Sequence, residues 1–343
     1  MTKQTLKYFA LSLACLGMLL SASPSMAQGK LARGQLRRHG LSSVPAQKPA
    51  SGTPQNTPAY TWTFIDFPQT LVTGGVAINF GTGGSGLEIV GFYGAAPLVG
   101  TNSFKVRGTI SKGVINEAFE DISYPGAAMQ SAEDVNDNGQ IVGAYIDSSS
   151  VYHGYELSGG VFTPIDVPFS GATSTIAGGI NNAGEITGGW ADSGGNEHGF
   201  TLIGGPEGTY NSFDYPGATQ TFAYTVNNNG DIVGYYTDTS NVTHGFLLSG
   251  GTYTSIDVPG AVETFASGIN DLGDIVGAYC TTDSCVETFD GAEGFLLSKS
   301  VFTTISVPGS TYTEADDINN KGMIVGLFTD ITNGPYRTYL TVP

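Results

Sequence analysis

Three short phrases recur in fixed order along this chain, and that repetition limits the fold more than any single residue does. The first is aromatic-x-x-Ile-Asp-x-Pro, which ends at Pro68, Pro125, Pro168, Pro216, Pro259 and Pro308 with small variations. The second is Asn-x-x-Gly-x-Ile-Val-Gly. It starts at Asn136, Asn181, Asn227, Asn270 and Asn319, and a degenerate first copy runs from Asn79 through Gly91. The third is His-Gly-aromatic-x-Leu at His153, His198 and His244, replaced by Glu293-Gly294-Phe295 and Arg337-Thr338-Tyr339 in the last two units. Residues 61–343 thus divide into six units of about 47 residues each.

Each unit holds four short candidate strands. In the fifth these are Tyr253–Val258, Phe265–Asn270, Asp274–Tyr279 and Gly294–Leu297. The turn signals of the repeat are Pro-Gly-Ala, Asn-x-x-Gly, a Ser/Thr/Asp loop and Ser-Gly-Gly. The glycine of Asn-x-x-Gly is expected at the positive-φ position of a tight hairpin. Ile275-Val276 reads as a strand buried on both faces, and Thr254-Ile256-Val258 as one that alternates with polar neighbours. Four antiparallel strands in this length make one β-propeller blade. A lone blade cannot bury its faces, so blades must stack around an axis, and closing the ring removes exposed edges. The expected architecture is all-β, a β-propeller of six four-stranded blades. An open β-solenoid fits less well, because its coils have shorter periods. Composition agrees. Gly is 50 of 343 residues, and 17 Tyr with 18 Phe are too many for a disordered chain.

The phrases Phe-x-x-Ile-Asp-x-Pro-Gly-Ala, Ile-Asn-x-x-Gly-x-Ile-Val-Gly and His-Gly-Phe, in this order, resemble the bacterial extracellular repeat called HAF. The resemblance covers residues 61–343. It implies an exported bacterial protein, a propeller-like array and no established biochemical activity. The histidine is missing from the fifth and sixth units and the first is poorly matched, which argues against a function needing six equal sites.

Residues 1–27 read as a secretory signal peptide. Lys3 and Lys7 precede the apolar stretch Phe9–Leu20, and Ser25-Met26-Ala27 gives small residues for cleavage. The stretch is too short to span a bilayer, so no membrane span is expected. Residues 28–60 form a basic linker rich in Pro and Ser, with Lys30, Arg33, Arg37, Arg38 and Lys48 and no acid. The address is therefore secreted: extracellular, periplasmic or cell surface. All 30 acids lie in the remainder. A body this acidic is expected to be a soluble monomer and excludes nucleic acid as a partner, since phosphates demand basic patches. Cys280 and Cys285 are an even pair in an exported chain and read as a local disulfide pinning a hairpin tip. A metal site would need more His or Cys nearby.

The best constellation is Asp…His at a separation of six: Asp147/His153, Asp192/His198 and Asp238/His244. As ligand sites these pairs would offer oxygen and nitrogen on one rim of the ring. As structure, the Asp would open an Asx-turn and the His would pack at the hairpin base, which explains the repetition more simply. The Asn-rich turns lack the Ca²⁺-loop pattern. No G-x-S-x-G or H-E-x-x-H motif is present, and every body histidine belongs to the repeat. Acids that break the repeat include Glu117-Glu120-Asp121, Glu287-Asp290-Glu293 and Glu314-Asp316-Asp317. Among them Asp316 and Asp317 precede a phrase that elsewhere carries Ser, Gly or Tyr. The leading expectation is a secreted, non-enzymatic binding or scaffold module, without cofactor, for an extracellular or envelope polysaccharide or protein. Two alternatives stand beside it. One is a polysaccharide hydrolase or lyase using Asp316 and Asp317 on a propeller face. The other is a structural surface or matrix protein.

Overall fold

The repeat folds into six antiparallel sheets around one axis. The computed structural model describes residues 60–65, 72–80, 86–94, 102–111, 114–283, 285, 291–329 and 336–342. The signal-peptide reading of 1–27 and the linker reading of 28–60, apart from Tyr60, lie outside the described residues, as does much of Glu287-Asp290-Glu293. Blade 1 takes Val72–Phe80, Leu87–Gly94, Asn102–Ser111 and Val114–Ile122. Blade 2 takes Met129–Val135, Ile141–Ile146, Tyr152–Ser158 and Val161–Ile165. Blade 3 takes Ser174–Ile180, Ile186–Ala191, Glu197–Ile203 and Thr209–Phe213. Blade 4 takes Gln220–Val226, Ile232–Thr237, Thr243–Ser249 and Thr252–Ile256. Blade 5 takes Glu263–Ile269, Ile275–Cys280, Glu293–Ser298 and Val301–Ile305. In each, the first strand is innermost and the fourth outermost.

Blade 6 closes the ring with both ends of the domain. Its inner strand is split into Tyr312–Thr313 and Asp317–Ile318, followed by Ile324–Thr329 and Arg337–Val342. Its outermost strand is Thr61–Ile65, antiparallel to the C-terminal strand, with Thr61 opposite Val342 and Ile65 opposite Thr338. This corrects the grouping of strands expected from the repeat. The aromatic-x-x-Ile-Asp-x-Pro phrase is the fourth strand of the preceding blade, so Tyr253 closes blade 4 and does not open blade 5. The physical reason is closure: lending the N-terminal strand to the last blade ties the two chain ends by a hydrogen-bonded ladder.

The core follows the other two phrases. Tyr155, Phe200, Phe246, Phe295 and Tyr339 of the third phrase are fully buried. So are Val142, Val233, Val276 and Val325 of the second, as expected for a strand covered on both faces. Each such side chain contributes about 2 kcal/mol through burial. The glycine of the third phrase lets the next blade close up: a Cβ at Gly245 would meet Ala266 Cβ at 3.2 Å and the Ile256 carbonyl at 3.1 Å. The Asn-x-x-Gly turn is the expected hairpin, with Gly273 at φ +79° and its N–H donating to Asn270 O at 3.1 Å. Cys280 and Cys285 are disulfide-bonded, with Cα atoms 5.6 Å apart. The bond lies in the connection between Ile275–Cys280 and Glu293–Ser298, is buried, and packs with Phe92, Tyr312 and Leu327.

Candidate functional site

One end of the axial channel is built from the Asn-x-x-Gly turns. In blades 2 to 6 the leading Asn accepts two backbone N–H groups of its own turn on Oδ1; for Asn227 these come from Asn229 at 3.0 Å and Asp231 at 2.9 Å. Its Nδ2 donates to the next blade's Asn carbonyl. The links run from Asn79 to Asn136 at 2.5 Å, to Asn181 at 2.9 Å, to Asn227 at 3.2 Å, to Asn270 at 3.0 Å and to Asn319 at 3.3 Å. The sixth link is open: Asn319 Nδ2 and Asn79 Oδ1 are buried without a partner. The following residues form a second ring. The backbone N–H groups of Asp137, Asn182, Asn228 and Asp271 each donate to the side chain of the corresponding residue one blade on. These turns line a mouth of about 210 Å³. Apart from the open link between Asn319 and Asn79, the leading amides are used within the ring, so the mouth is a structural clasp between blades.

Deeper along the axis the blades differ. Each first strand of blades 1 to 5 carries a bulge that skips one residue in the ladder: Val76, Glu133, Gly178, Tyr224 and Ser267. Asp316 takes this place in blade 6, at the break in its inner strand. These six, with Glu314 and Leu327 among their neighbours, line a cavity of about 40 Å³. That volume suits a few waters or an ion, not a sugar ring. The acids come from two blades only. Glu133 and Glu314 are buried, which pushes each carboxyl up to about 7. Asp316 is held well above the carboxylate range by burial and by the fields of Glu314 and Glu133. Glu133 Oε1, Glu314 Oε1 and Asp316 Oδ2 are sealed from solvent without a hydrogen-bond partner. Tyr312 donates its hydroxyl to the other oxygen of Glu314, and Tyr339 donates to the Glu314 carbonyl at 2.7 Å.

Asp316 and Asp317 therefore do different things. Asp316 faces the cavity. Asp317 Oδ2 accepts the Ile78 N–H of blade 1 at 2.9 Å and Oδ1 accepts the Ile318 N–H at 2.8 Å. Asp134 does the same between blades 2 and 3, accepting from Ile180 at 2.8 Å and Val135 at 2.7 Å. Burial raises both carboxyls, Asp317 to about 6, while these N–H groups pull the other way. The sequence expectation missed Glu133 and Asp134, yet a signal was there. Aligned on the turn asparagine, Glu133-Asp134-Val135-Asn136 matches Asp316-Asp317-Ile318-Asn319.

The Asp/His pairs lie at the other end of the strands, on the rim. Asp147 Oδ1 accepts the N–H groups of Ser149 and Val151 at 2.8 and 2.9 Å. Asp192 does so from Gly194 and Asn196, and Asp238 from Ser240 and Val242. Each is thus an Asx-turn residue. The Val151 N–H leads in holding the Asp147 carboxyl low, the Val242 N–H does so at Asp238, and the Asn196 side chain leads in bringing Asp192 down to about 2. The histidines lie closer to a different aspartate, that of the first phrase. His153 Nδ1 is 2.8 Å from Asp166, His198 Nδ1 is 2.9 Å from Asp214, and His244 Nδ1 is 2.6 Å from Asp257. The Nε2 distances to Asp147, Asp192 and Asp238 are 3.7, 3.6 and 3.8 Å. Each imidazole stacks on Tyr145, Trp190 or Tyr236; Tyr145 stacks in turn on Tyr124 and Tyr236 on Tyr215, while Phe169 packs tilted against Trp190. Trp190 is buried in this stack. In blade 5 the His is replaced by Glu293, which accepts from the Tyr279 hydroxyl at 2.8 Å. In blade 6 Arg337 lies 5.3 Å from the Phe328 ring centroid. Among the described residues, no three His, Cys, Asp or Glu side chains converge to ligate one metal ion directly, and no helix is long and apolar enough to cross a membrane.

No family model and no curated protein matches the chain. Solved structures do. The Trypanosoma rangeli sialidase in complex with the inhibitor DANA is similar with a TM-score of 0.52 at 10% identity, over 83% of this chain and 60% of that one. A putative TolB from Agrobacterium tumefaciens is similar with a TM-score of 0.53 at 12% identity, over 79% of this chain and 91% of that one. The chain spans 53% to 60% of the length of the sialidase chains it matches. At these identities the likeness bears on the propeller fold alone.

Proposed function

We propose that the protein is an exported, non-enzymatic binding module whose ligand-facing surface is the rim of blades 2, 3 and 4. One observation carries this reading. The same Asp–His–Asp set, with the imidazole stacked on an aromatic ring, occurs on three consecutive blades at one end of the strands. The outer carboxylates Asp166, Asp214 and Asp257 keep 54%, 51% and 52% of their side-chain surface exposed. A ligand that meets equivalent rims in series is itself repetitive, and linked contacts raise its avidity. Carboxylates and an imidazole suit the hydroxyl donors of a polysaccharide of the envelope or matrix. Export rests on the signal-like residues 1–27 and on the resemblance to HAF repeats. The hydrolase alternative finds less support. Both oxygens of Asp317 are bonded to backbone N–H groups, and Asp316 faces a cavity of about 40 Å³.

The test is calorimetric titration of the full chain with soluble bacterial and plant polysaccharides, followed by recovery of the sugar. Binding with intact sugar is expected, and the combined Asp166→Asn, Asp214→Asn and Asp257→Asn variant should lose roughly tenfold or more in affinity. Cleaved sugar would favour the hydrolase. Affinity unchanged in the triple variant would remove the rim from the account. Absence of binding across the panel would favour a structural matrix role.

A further inference from the structure

Three acids near the axis stand outside the bonding pattern of the repeat. Glu133 of blade 2 and Glu314 and Asp316 of blade 6 each leave a buried carboxylate oxygen unpartnered. At the bulge position the other blades carry Val76, Gly178, Tyr224 and Ser267, which bear no acid. Turn or strand geometry therefore gives no reason for these acids. Like charges gathered in a dry site are costly unless something neutralises them. We propose that the axial cavity binds one hard divalent cation, Ca²⁺ or Mg²⁺, with part of its water shell, between Glu133, Glu314 and Asp316.

The donors are all oxygen, which selects a hard ion over zinc or copper. No three acids among the described residues converge to direct-ligand distance, so water completes the coordination. The cavity of about 40 Å³ has room for an ion with a few waters. Thr225 lines both the cavity and the wider mouth at the Asn turns, and the mouth carries Asp134 and Asp317. Tyr312, hydrogen-bonded to Glu314, holds that side chain from the far side.

The full chain, stripped with EDTA at pH 8, is titrated with CaCl₂ and with MgCl₂ separately. Melting temperature, calorimetric heat and bound metal per chain are measured. One ion per chain is expected, and the melting temperature should rise by about 5 °C or more at a hundred times Kd. The shift should vanish in Asp316→Asn and in Glu133→Gln and persist in the rim variant Asp147→Asn. The metal content of the unmodified chain gives a readout that does not depend on variants folding. The proposal is overturned if neither ion binds, or if the shift survives both axial substitutions, which would place the ion elsewhere. Stabilisation by acid alone, with no response to either ion, would mean that protons neutralise the cluster. None of these outcomes touches the rim, so the binding-module reading stands or falls separately.

Discussion

The turn ring at the mouth and the bulge ring below it are a few residues apart on the same six strands, yet they obey opposite rules. The mouth repeats: the leading position is Asn in every blade, and in blades 1 to 5 its amide joins one blade to the next. The bulge ring does not: Val76, Glu133, Gly178, Tyr224, Ser267 and Asp316 share no chemistry. A position whose side chain completes a hydrogen-bond circuit is bound by its neighbours' geometry. A bulged side chain sits outside the ladder and points at the axis, so it is free to differ. The first ring holds the fold together, and the second carries whatever is particular to this chain. The sharpest test of that contrast is a pair of substitutions with opposite signs. Asn227→Ala leaves two turn N–H groups and the Asn270 carbonyl without their partner. It should destabilise by about 2–4 kcal/mol. Asp316→Asn, in chelator at pH 8, should stabilise by relieving repulsion. Denaturant unfolding of both variants checks the signs. Destabilisation by both would erase the distinction.

The next effect is on pH. Burial raises Glu133 and Glu314 from 4.5 to about 7 in the folded chain. Between those limits the folded state binds more protons than the unfolded one, so stability falls as pH rises. A chelator-treated sample should therefore melt higher at pH 5.5 than at pH 8, by a free energy on the order of 1–3 kcal/mol per group. The rim works in the opposite direction and in another window. The depressed Asp192, at about 2 against 3.8, contributes stability that is present above its unfolded value and lost only as pH falls toward 2. Glu314→Gln keeps an acceptor for Tyr312 and should flatten the slope between pH 5.5 and 8. An unchanged slope would exclude Glu314 as its source.

A smaller effect separates two glycines of the repeat. At Gly273, φ is +79° and a Cβ would have open space, so Gly273→Ala should cost about 1 kcal/mol from backbone strain alone. At Gly245 the backbone takes no positive φ, and the neighbouring blade is the obstacle. Equilibrium unfolding should show a larger loss for Gly245→Ala, because Ala266 lies in the next inner strand and has to shift. Equal losses would mean that the blades slide apart easily.

The contrast also marks what could be read from the sequence. Period and turn chemistry made the blades legible: Gly273 sits in its turn, and Val276 and Phe295 are buried where the phrases place them. The grouping of strands was not legible, because a circular array of repeats looks the same whichever strand is counted first. That ambiguity hid the partner of His153. Asp166 belongs to the next sequence unit but to the same blade, one strand away. The axial acids were legible only in part. Glu314, Asp316 and Asp317 stood out as breaks in the repeat, but period-two alternation does not register a bulge. Only alignment on the turn asparagine, with the ring closed, sets Glu133 beside Asp316, some 180 positions away.

The least effect on stability is expected where the most effect on binding is proposed. His198 is partly exposed, lies between Asp214 and Asp192, and stacks on Trp190 at 4.5 Å. Exposed ion pairs contribute about 0–1 kcal/mol. His198→Ala should thus lower stability by less than about 1 kcal/mol, since Trp190 keeps Phe169 and its hydrogen bond to Ser212 at 3.0 Å. The same substitution removes one of three equivalent rims, so affinity for a repetitive polysaccharide should fall while the melting temperature barely moves. Calorimetric titration beside thermal unfolding separates the two. A large stability loss with unchanged affinity would make the rim histidine another clasp, like the mouth asparagines, and would leave the bulge ring as the only part of the axis free of the repeat.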